Sequence, residues 1–440
     1  MILTINPPAD IPQKQASGGK QMTKAELSLA VFHLREFLRR QREHLGRKEV
    51  QLLVETYIRG LLSDTRKKNA EAIAREIGAG RVRALQRLLV SARWDEDAVV
   101  AEHQRSVAET LGAEDGILVI DDTGFRKQGV FSCGVGRQYS GTLGKVENCQ
   151  VGVFLSYSVP DVAHTLLDRR LYLKEEWFGP DWAPQRGRAR VPDGAVFRKK
   201  PELALEMIKG ALERNIPHAW VSMDAGYGEV PELLDSLHAI GERYVAAVPC
   251  NTHVWTERPQ THVPRRKGKR GPRPKKLQLV KGAPGSRPVV DVARELPQKA
   301  FKSVILREGE KGPIQMEVAI LRVWNRRGTL PGREEWLLVV RRLGQTPETK
   351  YLFSNASAKT PKITMVHAGL ARWTEEQCFE QGKDDLGLNE YQTKTWPGWY
   401  RHTALVMLAH SFLIWMNAQG EKRRGAGQHT AVAQHRRARA

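Results

Sequence analysis

Two short apolar runs that end in aspartate restrict the fold more than any other feature of this chain. Gly-Ile-Leu-Val-Ile-Asp-Asp covers 116–122, and His-Ala-Trp-Val-Ser-Met-Asp covers 218–224. Such runs predict strands inside a core, and a carboxylate closing a core element is costly to bury unless it is paired or bound to metal. Glu376 lies in a third such context, the helix-like Leu-Ala-Arg-Trp-Thr-Glu-Glu-Gln-Cys-Phe of 370–379. Three convergent carboxylates, Asp122, Asp224 and Glu376, are what a two-magnesium site for phosphodiester chemistry requires.

The elements around these runs predict the layout of the chain. Residues 1–22 are polar, with prolines and glycines, and are expected to be disordered. Thr23-Lys24-Ala25-Glu26 reads as a capping box, and helical periodicity continues through most of 23–115. Within it, 66–77, then Gly78-Ala79-Gly80, then 81–92 has the order of a helix-turn-helix. Arg81, Arg83 and Arg87 decorate its second helix, and the region 23–115 is expected to be a helical DNA-binding domain. Strands are expected at 117–120, 130–135 and 150–157, then a helix over 201–214, a strand at 219–223, a helix over 230–240 and a strand at 244–248. Three strands followed by helix, strand, helix, strand is the order of a ribonuclease H-like core, with 116–249 as its first part.

Residues 250–355 interrupt that core. They open with a proline-rich basic tract in which eight of the twelve residues 265–276 are cationic. So much charge predicts an exposed loop that meets phosphates through Arg265, Arg266, Lys267, Lys269 and Arg270. β-type segments follow, so 250–355 is expected to be an all-β insertion. Helical pattern returns over 363–383 and 400–416, making 356–418 the second part of the core. The tail 419–440 has no apolar periodicity and is expected to be disordered.

The charge agrees with a polyanionic partner. Lys plus Arg number 70 against 49 Asp plus Glu, a formal charge of +21, which favours nucleic acid. Four scattered cysteines carry no CxxC spacing, so neither a zinc site nor a disulfide framework is implied, and a reducing cytoplasm fits. The N-terminus lacks a charged-then-apolar signal pattern. The most apolar stretch, 403–416, is too short and too polar to span a bilayer, so no membrane association is expected.

Several neighbouring acids compete for the site. Asp121 and Asp122 are adjacent and face opposite sides of a strand, so one of them faces a metal. On a regular helix Arg372, Glu376 and Lys383 fall within roughly 40° of one another, while Glu375 sits about 100° away. Arg372 and Lys383 can then hold phosphate oxygens beside Glu376. The segment 137–145 lacks the glycine order of a P-loop, so ATP use is not supported. Arg137 and Lys145 are expected on the DNA backbone, with a plain hairpin as the alternative. Trp373, Trp396 and Trp399 are candidates for base stacking or for core packing.

Asp122-Thr123 resembles the first acidic motif of bacterial insertion-sequence transposases, and Arg372-x3-Glu376-x6-Lys383 matches the last three letters of their Tyr-Arg-Glu-Lys signature. The tyrosine position holds Gly369. Ile120-Asp121-Asp122-Thr123-Gly124-Phe125, Gly136-Arg137-Gln138-Tyr139-Ser140-Gly141-Thr142-Leu143-Gly144-Lys145 and Trp399-Tyr400-Arg401-His402 resemble the insertion sequence 701 branch of the DDE superfamily. The likeness spans about residues 25–418 and selects Asp122 over Asp121. It implies an α/β fold: a ribonuclease H-like, retroviral integrase-like catalytic core with a β insertion between Asp224 and Glu376. It also implies cut-and-paste transposition at two Mg²⁺ ions, with Mn²⁺ as a substitute, by a homodimer on double-stranded DNA. The alternatives are a metal-dependent nuclease that does not transpose and a non-catalytic repressor that binds the element's ends.

Overall fold

A computed structural model describes residues 23–141, 144–160, 162–265, 275–309, 312–342, 348–371 and 377–437. The chain divides into two compact units. The first takes Ile117–Ile120 and Ala219–Trp373; the second takes residues up to Gly116, then Asp121–His218, then those from Thr374 onward. These units do not follow the boundaries expected from the sequence. Strands are numbered in chain order: β1 (Ile117–Arg126), β2 (Gly136–Ser140), β3 (Lys145–Val159), β4 (Ala163–Tyr172), β5 (Trp220–Met223), β6 (Tyr244–Val248) and β7 (His253–Trp255). Then come β8 (Thr261–His262), β9 (Gln278–Leu279), β10 (Arg287–Pro288), β11 (Lys302–Gly309), β12 (Gly312–Arg327), β13 (Leu330–Arg342) and β14 (Glu348–Ser354).

In the first unit the opening residues of β1 pair in parallel with β5, from Ile117 opposite Trp220 to Ile120 opposite Met223. β5 continues in parallel with β6, and β14, β13 and β12 extend the sheet antiparallel. Both faces of β13 are covered, which is why it reads as an unbroken apolar run. Trp336, Leu338 and Val340 share a core with Met365 and Val366, while Leu337 and Val339 share another with Val289 and Val292. The expected separate all-β insertion is therefore corrected in two respects. Its long strands continue the sheet of β5 and β6, and the helix Val289–Arg294 packs among them.

The second unit joins helices from the start and the end of the chain. The capping box forms: the Thr23 hydroxyl accepts from Glu26 N at 3.2 Å, and Glu26 Oε2 accepts from Thr23 N at 2.6 Å. Leu34, Leu53, Tyr57 and Leu88 from the early helices share one cluster with Phe154, Trp399, Leu405 and Phe412. β2, β3 and β4 form an antiparallel meander. The strand expected at 130–135 is replaced by turns, because Gly134 has φ +73° and Val135 N bonds back to Ser132 O at 3.0 Å. The strand is β2 instead, and β4 was not anticipated. The tail from 419, expected to be disordered, continues the helix Trp396–Arg437; its Ala, Gln, Lys and Arg content favours helix. Among the described residues no helix is long and apolar enough to cross a membrane.

Candidate active site

The rung Ile120–Met223 is the last in the β1–β5 pairing. Asp224 follows that rung by one residue, just past β5, and Asp122 follows it by two, within β1. The carboxyl end of the parallel strands in an open α/β sheet is where ligands collect, because loops and helix N-termini meet there.

Asp122 accepts a hydrogen bond from Lys200 Nζ at 3.0 Å, with side chains 18% and 28% exposed. Lys200 opens the helix Lys200–Glu213. A cation in a first turn works against the helix dipole, and the Asp122 carboxylate offsets that cost. Lys200 was missed from sequence; the signal available was the pair Lys199-Lys200 before Pro201 at a helix start.

Asp121 has different surroundings. Its Oδ1 accepts from the backbone N of Asp122 at 2.7 Å. Burial pushes the Lys383 ammonium below its ordinary pKa, while Asp384 and Asp121 act in the opposite direction. The field of Lys383 is thus felt with Asp121, and that of Lys200 with Asp122.

Asp224 caps the short helix Ala225–Gly228, its Oδ1 accepting from Tyr227 N at 3.2 Å. The cap fixes one carboxylate oxygen toward the backbone. Small residues after Asp224 were expected to admit DNA close to the backbone. For Gly228 the reason is internal: a Cβ there would lie 1.9 Å from Ala247 O, so the glycine lets the helix sit against β6.

Glu376, Arg372, Glu375 and Trp373 lie outside the described residues. The elements flanking them differ from the continuous helix expected over 363–383. The helix Lys362–Leu370 closes on Ala371, and Gln381–Asp385 is π-helical. The wider π turn, which carries Lys383, departs from the 100° per residue of a regular α-helix. Gly369, at the position of the signature tyrosine, is packed tightly: a Cβ would lie 2.6 Å from Leu352 Cδ1 and 3.0 Å from Val245 Cγ1. A larger side chain there requires the Leu352 and Val245 side chains to shift.

Among the basic residues, Arg81, Arg83 and Arg87 are exposed on the helix Val82–Val90 and its cap, while Leu85, Leu88 and Leu89 face the core. The turn before them has Ala79 at φ +50° and Gly80 at φ +72°. Arg137 is exposed on β2, and Lys145, at the start of β3, pairs with Glu147 at 3.0 Å. Both lie on the antiparallel pair of β2 and β3, Arg137 opposite Asn148 and Lys145 opposite Ser140. Arg265 is exposed, whereas Arg266, Lys267, Lys269 and Arg270 lie outside the described residues. Trp399 is fully buried against Phe154 and Tyr400, which makes it a core residue and removes it from the stacking candidates.

Comparison with known proteins identifies the family. Residues 41–313 match the family model described as DDE superfamily endonuclease. The chain is 25% identical over 344 residues to a protein from Microchaete diplosiphon described as a probable transposase for insertion sequence element IS701, covering 77% of this chain and 76% of that one. A solved synaptic complex of piggyBac transposase with hairpin DNA is similar at 13% identity and a TM-score of 0.34, over 95% of this chain and 72% of that one. A match over more than half of its length means that this protein belongs to the DDE superfamily of endonucleases.

Proposed function

We propose that this protein is a DNA transposase that cuts at the ends of its insertion sequence and joins those ends to target DNA. The observation that supports the reading is the match of residues 41–313 to the DDE superfamily endonuclease model, on a chain in which Asp224 and Asp122 follow the last β1–β5 rung by one and two residues. Family membership implies a divalent metal, usually Mg²⁺. The donor set of Asp122, Asp224 and Glu376 is all carboxylate oxygen, which fits a hard cation and disfavours a soft one. On this reading the three acids hold two Mg²⁺ ions, with Mn²⁺ able to substitute. Bound to these carboxylates, divalent ions would supply Lewis-acid activation of the scissile phosphate and of the attacking hydroxyl.

The chain's own residues supply the rest. Lys200 balances Asp122 with charge and a hydrogen bond, which lowers the repulsion between carboxylates gathered in one site. Lys383, poorly hydrated, is well suited to a phosphate oxygen because a desolvated cation has less water to lose. Arg372 is assigned the same role. Arg81, Arg83 and Arg87 hold DNA at the helical region, and Arg137, Lys145 and the basic tract from Arg265 to Arg270 contact its backbone. Joining two ends calls for a homodimer on DNA, acting in the cytoplasm at the nucleoid.

One observation favours a variant of this assignment. Lys383 belongs to the family signature, and its field falls with Asp121, so Asp121 is the competitor of Asp122 for the first ligand position. The test is incubation of the full chain with Mg²⁺ and linear DNA carrying the element's ends, followed by addition of a target plasmid. Cleavage and joining that vanish in Asp224→Asn and Glu376→Gln are the expected result. Cleavage without joining would leave a nuclease, and end binding without cleavage would leave a repressor. Equal activity in all the acid variants would remove the site.

A further inference from the structure

No CxxC spacing among the four cysteines announces a transition-metal site. The fold of the second unit nevertheless brings His164, Cys378 and His410 together from three distant elements. One ligand atom from each lies within 4.8 Å of the others. His164 stands on β4, Cys378 on the segment after Glu376, and His410 on the helix Trp396–Arg437. All three are buried, at 6%, 0% and 2% exposure.

We propose that His164, Cys378 and His410 form a structural binding site for a borderline-soft divalent metal, with Zn²⁺ as the expected ion, separate from the carboxylate site.

The alternative is an ordinary buried polar network, and it accounts for only part of the cluster. His410 is satisfied: Nδ1 lies 3.3 Å from Thr165 Oγ1, and Nε2 lies 2.9 Å from Gln381 Oε1. Nε2 of His164 is buried with no hydrogen bond of good geometry, and Gln381 is the polar side chain that acts on the ring. A buried imidazole nitrogen left unpaired costs about 1–3 kcal/mol, and a metal ion satisfies it. Two imidazoles and a thiolate suit Zn²⁺ or Co²⁺ and disfavour Mg²⁺, whose ligands are oxygens. Gln381 Oε1, 2.9 Å from His410 Nε2, is the candidate for a fourth ligand. Thr165, beside His410 Nδ1, stands where an outer partner orients a ligating ring.

The position gives the site a purpose. Cys378 follows Glu376 by two residues, so a metal here ties the segment carrying the third catalytic acid to β4 and to the last helix. Gln381 opens the π-helical turn that carries Lys383, and such turns are frequent at functional sites.

The test uses the full-length chain stripped with a chelator and titrated with Co²⁺ alone, then with Zn²⁺ alone. A thiolate-to-cobalt charge-transfer band together with tetrahedral d–d bands, saturating at one ion per chain, is expected. Cys378→Ser and His164→Gln should each weaken Zn²⁺ binding by more than about 100-fold, while Cys250→Ser, at the exposed cysteine, should change nothing. If the cluster variants do not fold, X-ray absorption at the zinc edge of the wild-type chain reads one sulfur and two imidazole nitrogens without any substitution. An all-oxygen shell, the absence of a charge-transfer band, or a band that survives Cys378→Ser would overturn the proposal. Because the readout is the ligand set and not DNA cutting, its failure would leave the transposase reading as it stands.

Discussion

At the residue scale, the two adjacent acids of β1 are separated by their partners. Asp122 takes the Lys200 ammonium at 3.0 Å, and Asp121 takes the backbone amide that follows it. Asp122→Asn and Asp224→Asn are each expected to lose more than about 100-fold in end cleavage, because loss of a ligand exceeds the cost of losing an outer partner. Asp121→Asn should keep most activity, and circular dichroism would verify folding in all three. The reverse pattern at 121 and 122 would move the metal ligand to Asp121. Lys200→Met removes a cation that competes with metal for Asp122. It should tighten Mg²⁺ binding by up to about fivefold, the scale of one partly exposed ion pair, as read by calorimetry. The choice of Asp122 came from its threonine neighbour; the existence of Lys200 as a partner did not, since 78 residues separate the two.

At the element scale, local signals were legible where they act over a few residues. The capping box at Thr23 and the strand at 117–120 needed no knowledge of the rest of the chain. β2 was displaced because the apolar letters of 130–135 suggested a strand, whereas Gly134 at positive φ and the turn at Ser132 break it. Cys133 N then bonds to Lys394 O at 2.9 Å, a partner far away in sequence. The π turn at Gln381–Asp385 left no sequence signal, because it changes winding without changing composition. Gly228→Ala tests the reading of the turn after Asp224. With Ala247 O only 1.9 Å from the new Cβ, a backbone atom must move, and overpacking of this kind costs about 1–3 kcal/mol. A lowered Tm is expected, together with weaker cleavage as Asp224 shifts. An unchanged Tm would show that the helix does not need this close approach.

At the scale of the whole molecule, charge and buried histidines give two further expectations. With a formal charge of +21, DNA affinity should fall steeply with salt, and removing Arg81, Arg83 and Arg87 together should flatten the slope of log K against log salt by about 0.9 per lost phosphate contact. A slope unchanged in the triple alanine variant would take these residues off the DNA. The second expectation concerns acid stability. His402 is held between Tyr57 and Gly387: Nε2–H donates to the Gly387 carbonyl at 3.1 Å, leaving Nδ1 to accept from the Tyr57 hydroxyl at 2.9 Å. Burial lowers its pKa to about 3 and that of His103 to about 4. Both folded values lie below the ordinary 6.5, so the unfolded chain takes up protons first. Their contribution is complete above about pH 6.5 and is lost as pH falls toward 4, which Tm measured from pH 7.5 downward would show. By itself the sequence determined what local pattern encodes: the apolar strands with terminal acids, the capped helices, the excess of cations and the family motifs. Tertiary structure decided what depends on residues far apart meeting, because neither periodicity nor spacing records such encounters. Lys200 beside Asp122, the sheet running from β5 and β6 into β14, Tyr57 on His402, and the group of His164, Cys378 and His410 are all of this second kind.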